Sequence, residues 1–180
     1  RFPVDFGNFV YLSQVQQGLA IKTAVTHWRS LKPHCQGALI WQLNDTWPVC
    51  SWASLDHGGN WKLLHHMARA FFQPVHVSAV PKDGVIELRA VNDTGAAIPL
   101  TVTASAVTME GRSRPLDEAV VEVAPGAALC ALKIPAFKVG AQEMLVYHWT
   151  VADGTAIGSD IFAPKPFKAY DLRPANLTSA

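Results

Sequence analysis

Glutamate is missing from the first part of this 180-residue chain: the first one is Glu87, and before residue 77 the carboxylates are Asp5, Asp45 and Asp56. A surplus of either charge is missing too. Fifteen Lys and Arg face fourteen Asp and Glu, and no basic run occurs. A phosphate backbone needs several cations on one face, so a nucleic-acid partner is not expected. No apolar run approaches the roughly 18 residues of a membrane span, so no membrane is expected either. The three cysteines, Cys35, Cys50 and Cys130, are odd in number and widely spaced. They offer neither a disulfide framework nor a metal set and read as small buried apolar residues. Nothing in the spacing of His, Cys or carboxylates calls for a metal or a cofactor. The chain opens at Arg1 without methionine or a signal-like segment, which reads as a piece of something larger and leaves the compartment open.

What is present is apolar material for a core, at 49% of residues. Residues 6–30 predict one long helix. Leu12, Val15 and Leu19 make a stripe that Ile21, Ala24, Val25 and Trp28 continue, Asp5 is placed to cap it, and Pro33 stops it. Apolar residues on more than one face predict burial on two sides. The run Ala38-Leu39-Ile40-Trp41 predicts a buried strand over 37–43. A second helix is predicted after it, with Asn60 as cap, Trp61, Leu64, Ala68 and Phe71 on one stripe, and Pro74 beyond its end. His65 and His66 lie in that helix and point in different directions, a poor metal pair.

From Val75 the pattern changes to short strands punctuated by turns. Strands are predicted at 84–92, 98–107, 118–124, 128–134, 144–152 and 157–162, with turns at Lys82-Asp83-Gly84, Asn92 to Gly95, Pro125-Gly126 and Asp153-Gly154. This spacing predicts an antiparallel sandwich of immunoglobulin type without its disulfide. The fold class expected is therefore mixed. Residues 1–76 give helix, strand and helix; residues 77–172 give a β-sandwich; residues 173–180 read as an exit linker. A lone strand between two helices orphans its backbone polar groups, so the first part is expected to complete itself against other polypeptide.

Between those helices, residues 37–61 hold four of the six tryptophans, Trp41, Trp47, Trp52 and Trp61, interleaved with Asn44, Asp45, Asp56 and His57. Aromatic planes beside amides and carboxylates suit a sugar, whose C–H face packs on a ring while its hydroxyls seek donors and acceptors. The competing reading is that these rings are simply packed. Three triplets, at Asn44, Asn92 and Asn176, fit the glycosylation pattern and carry weight only in a secreted eukaryotic setting.

The quoted motifs Trp41-Gln42-Leu43-Asn44-Asp45, Trp47-Pro48, Ser51-Trp52, Leu55-Asp56 and Gly58-Gly59-Asn60-Trp61-Lys62 closely resemble the end of the catalytic barrel in β-mannosidases of glycoside hydrolase family 2. Phe9 to Gln17 and His27-Trp28-Arg29 resemble the barrel helix before it. The resemblance covers residues 1 to about 75 with specific motifs and continues loosely through an immunoglobulin-like domain. It implies a (β/α)₈-barrel end and retaining hydrolysis of terminal β-mannosides by two glutamates, an acid/base and a nucleophile. By motif order both would lie before residue 1, so no catalytic residue is expected in this chain. The same resemblance makes Trp41 the aromatic floor of the sugar subsite and Trp47 part of its wall. Asn44 and Asp45 either bind hydroxyls or cap the loop with Asx-type bonds. Trp52 and Trp61 are expected in loop and helix core. The expected partners are a β-mannoside or manno-oligosaccharide and the remainder of the enzyme. An exo-β-glucosaminidase of the same family and a non-catalytic carbohydrate-binding or structural module are the rival readings.

Overall fold

The structure is a computed structural model that describes residues 5–151 and 156–172. The predicted exit linker, the Asn176 triplet and the Asp153-Gly154 turn lie outside the described residues. The chain divides into two compact units, Arg1–His76 and Val77–Ala180.

In the first unit, α1 runs from Phe6 to Ser30. Asp5 caps it as the sequence predicts, accepting from Asn8 N at 2.8 Å and from Asn8 Nδ2 at 2.6 Å. His27 and Arg29 in the last turn complement the helix dipole. The second helix, α2, spans Leu63–Phe71, later than predicted: Lys62, not Asn60, occupies the cap position and makes no side-chain cap bond. The cap comes from α1 instead, where Gln14 Oε1 accepts from Leu63 N at 2.9 Å. At the other end of α2, the buried Arg29 donates to Phe71 O and, at 2.7 Å, to Gln73 O. One guanidinium thus satisfies carbonyls that a helix terminus leaves open. Val25, Leu64 and Phe71 form the core between the helices, with Ile21, Ala38, Ile40, Met67 and Ala68 packed around them. The first half of α1 is not covered on two sides as expected, since Phe6, Phe9, Tyr11 and Leu12 are exposed.

The predicted strand at 37–43 is corrected. Residues 35–40 form no strand among the described residues. The run is still two-sided, as a fully covered strand would be. Ala38 and Ile40 pack inward on the Val25–Leu64–Phe71 core, while Leu39 is 100% exposed and Trp41 75%. A strand requires a neighbour to take its N–H and C=O groups, and apolar propensity alone cannot supply one.

From Val75, at the boundary of the two units, the chain forms two antiparallel sheets, with strands β1 (Val75–Lys82), β2 (Val85–Asn92), β3 (Ile98–Thr108), β4 (Ser113–Val123), β5 (Ala128–Pro135), β6 (Glu143–Val151) and β7 (Ala156–Phe162). Their orders are β1-β2-β5 and β4-β3-β6-β7. Strict alternation builds the core. Ile86, Leu88 and Ala90 on β2, Leu100, Val102, Ala104 and Ala106 on β3, and Leu145, Tyr147 and Trp149 on β6 are all buried. His148, between the two rings, is exposed. Across the β6–β7 ladder Trp149 faces Gly158, and a Cβ built on Gly158 would fall inside the indole. Fully buried Asn92 ties three segments together: Nδ2 donates to Ala96 O at 2.7 Å and Val123 O at 2.9 Å, and Oδ1 accepts from Thr94 N and Oγ1. The glycosylation triplet at Asn92 is therefore an internal hydrogen-bonded turn in the folded chain.

Candidate functional site

The Trp-rich stretch leaves the core at Trp41, whose peptide to Gln42 is cis. It is a loop held by its own backbone. Ser54 N donates to Gln42 O at 3.1 Å, Leu55 N to Leu43 O at 2.8 Å, and Asp45 N to Leu55 O at 3.2 Å. These bonds zip 42–45 against 54–55 and close off residues 46–53 as an excursion, in which Thr46–Cys50 and Trp52 are exposed and Ala53 is buried. The next turn is built by Asp56. Its carboxylate accepts from Asn60 N and Asn60 Nδ2, each at 2.8 Å, while Gly59 takes a φ of +81° that a side chain would disfavour.

Asp45 sits at the start of the excursion with its side chain 1% exposed. One carboxylate oxygen accepts from Ser51 Oγ; the other meets Lys62 Nζ at 2.9 Å. Hydrogen bonds from Ser51 first, and from Lys62 next, hold its carboxyl below the ordinary value. Asn44, beside it, is exposed and bridges to Leu55, its amide donating to Asp45 O at 3.3 Å. Behind the loop, Ser54 Oγ donates to Leu43 O at 2.9 Å and meets His65 Nδ1 at 3.0 Å. With the single hydroxyl proton given to Leu43, His65 Nδ1 is the donor in that pair. Gln17 on α1 donates to Trp52 O at 2.8 Å.

The aromatic residues face outward. Trp41, Trp47 (62% exposed) and Trp52 are open, and Trp61 is 46% exposed. Two expectations are corrected here. Trp61 precedes α2 and is not on its core stripe; its ring lies against His65 and His66, with centroids 4.5 and 5.0 Å away. Trp52 is no core residue either, because the excursion that carries it has only one packed side. The same geometry corrects the cysteines: Cys50 rides the exposed excursion, and Cys35 and Cys130 are half-buried.

Chemically the loop offers flat apolar planes and fixed polar groups. Asp45 and Asp56, like Asp5 at the α1 cap, are each held below the ordinary carboxylate value by hydrogen bonds to the ionised form. A general acid at neutral pH needs the opposite shift. Sequence reading missed Lys62, Ser51, Gln14 and Gln17 as loop anchors. Gln14 and Gln17 lie three apart on one face of α1, a spacing that lets both reach the same neighbouring segment.

No family model matches the chain. β-Mannosidase of Mus musculus is 44% identical over 95 residues, which cover 49% of this chain and 11% of that protein. β-Mannosidase A of Aspergillus niger is 40% identical over 77 residues, covering 41% and 8%. Among solved structures, β-D-mannosidase from Dictyoglomus thermophilum superposes on 96% of this chain with a TM-score of 0.88 and 28% identity, over 21% of its own length. The exo-chitosanase of Amycolatopsis orientalis shares the fold at a TM-score of 0.78 with 19% identity, over 91% of this chain and 20% of its own. The chain thus spans 11% of the first of these curated relatives and 21% of the first of these structures. By sequence and by fold, it is homologous to one part of the β-mannosidases, which are glycoside hydrolases.

Proposed function

We propose that this chain is the C-terminal portion of a retaining, exo-acting β-mannosidase of glycoside hydrolase family 2 that removes terminal β-D-mannosyl residues. In this reading residues 1–76 are the end of a (β/α)₈ catalytic barrel, and residues 77–172 are an immunoglobulin-like sandwich that braces it. The observation that carries the reading is the outward wall of Trp41 and Trp47 on a loop fixed by its own hydrogen bonds, in a chain homologous to β-mannosidases. The two-sided apolar run at 38–41 supports the barrel assignment, because parallel barrel strands are covered on both faces.

The division of labour follows from the chemistry. Retaining hydrolysis needs two carboxyl groups about 5–5.5 Å apart, one protonated to release the leaving oxygen and one ionised to attack. In this reading both glutamates lie in polypeptide outside these 180 residues. The chain contributes the binding wall. Trp41 forms the floor under the sugar, a stacking contact worth about 1 kcal/mol. Trp47 lines the side, and exposed Asn44 supplies the polar edge toward the hydroxyls.

The polypeptide carrying this sequence, assayed on aryl β-mannosides and aryl β-glucosaminides, decides the substrate class. Preference for the mannoside by tenfold or more supports the reading. Preference for the glucosaminide transfers it to the exo-β-glucosaminidase branch, whose fold the chain shares. A purely carbohydrate-binding sandwich has less support, because Tyr147 and Trp149 of that unit are buried rather than presented.

A further inference from the structure

Asp45 occupies a particular place in the Trp-rich loop. It is the last residue of the zipped segment, and its backbone N–H is already bound to Leu55 O. Its side chain reaches across the base of the excursion to Ser51, whose hydroxyl in turn accepts from Ala53 N at 3.0 Å. The other oxygen reaches Lys62, at the foot of α2. That foot is itself tied to α1 through Gln14 and Leu63 N. Between Asp45 and Ser51, Thr46 to Cys50 are exposed, with Trp47 among them. The tip therefore has no packed side of its own, and its position is set at its base.

We propose that Asp45 is a positioning residue: clamped between Ser51 and Lys62, it holds the 46–53 excursion and so sets where Trp47 meets a pyranoside. This rests on the reading of the loop as a β-mannoside wall and assigns Asp45 a role behind that wall. With both oxygens taken and the side chain 1% exposed, the carboxylate has no edge left for a hydroxyl in this conformation. Of the two charged partners Lys62 is the more open, its side chain 16% exposed against 1% for Asp45.

The test uses the full polypeptide that carries this sequence, with Asp45→Asn, Ser51→Ala, Lys62→Met and the Asp45→Asn/Lys62→Met pair, on an aryl β-mannoside. A positioning role weakens ground-state and transition-state binding alike, so KM rises about five- to tenfold while kcat stays within about twofold. The paired variant should be no worse than the poorer single one, because both break one clamp. Amide exchange across 46–53 should rise in every variant while exchange in α2 stays protected, which separates loosening of the loop from loss of fold. A fall in kcat at unchanged KM overturns the inference by placing Asp45 in the chemistry. So does unchanged KM with unchanged loop exchange. If the unsubstituted polypeptide neither binds nor turns over the mannoside, the reading of the wall itself falls and takes the inference with it. That result is distinguishable because it needs no variant.

Discussion

The two units use their apolar residues in opposite ways. In residues 77–172, alternation sends one side chain in two inward, and Leu88, Leu100 and Leu145 are fully buried. In residues 1–76 a core of Val25, Leu64 and Phe71 coexists with Phe6, Phe9, Leu12, Leu39 and Trp41 in the open. The second unit pairs its backbone in ladders; the run 35–41 joins none among the described residues. The difference is one of covering: the first unit leaves large apolar side chains open, and the proposed reading assigns them to further polypeptide and to ligand.

Breaking the second unit should give the largest effect. Gly158→Ala drives a methyl into the Trp149 indole, which is buried and rigid, so overpacking should cost about 3 kcal/mol. Thermal unfolding followed by near-UV circular dichroism would register it as a drop in Tm. Asn92→Ala comes next. It removes an amide that satisfies Ala96 O, Val123 O and Thr94 at once, at a cost of about 2 kcal/mol in a urea titration. In the first unit, Arg29→Met frees the carbonyls of Phe71 and Gln73, and about 2 kcal/mol of local stability should go with them. Hydrogen exchange should rise across α2 there and leave β3 and β6 protected. Arg29→Lys should not restore it, since a single ammonium cannot reproduce the fork.

The sequence made these two units legible to different degrees, for physical reasons. Helix α1 was readable end to end because its cap, stripe and stop are all local. Most strands of the second unit were readable because period-two alternation is local as well. β1 and the first half of β4 were not. β1 buries His76 and Ser78, which mask its pattern. The segment Ser113 to Asp117 of β4 lies on an edge strand with Pro115 in it and has little to bury. The 38–41 run read as a strand because its composition suits one, yet pairing depends on neighbours that composition does not encode. The site was legible as a collection of rings. Its anchors, Lys62 on Asp45 at a separation of 17 residues and Gln14 on Leu63 at 49, are tertiary contacts without a local signature.

The smallest effect expected is a pH response confined to the loop. The carboxyl of Asp45 is lowered by Ser51 and Lys62, with Asp56 nearby opposing. A depressed carboxylate contributes stability that is fully present above its unfolded value, 3.8, and fades as pH falls through the lower folded value. Asp56, lowered by Asn60, acts with the same sign. Emission from the exposed tryptophans should therefore shift below about pH 4 while buried Trp149 holds its signal, and Asp45→Asn should diminish the shift. Glu143 in the second unit, lowered chiefly by the Gly140 N–H and also by Arg114, shares that sign.

The central claim is that this chain supplies a sugar-binding wall and no bond-breaking carboxylate pair. The direct measurement is hydrolysis of an aryl β-mannoside by the purified 180-residue chain alone, with its mass checked to exclude companion polypeptide. The account predicts no turnover above the uncatalysed rate; sustained hydrolysis by this chain by itself would contradict it.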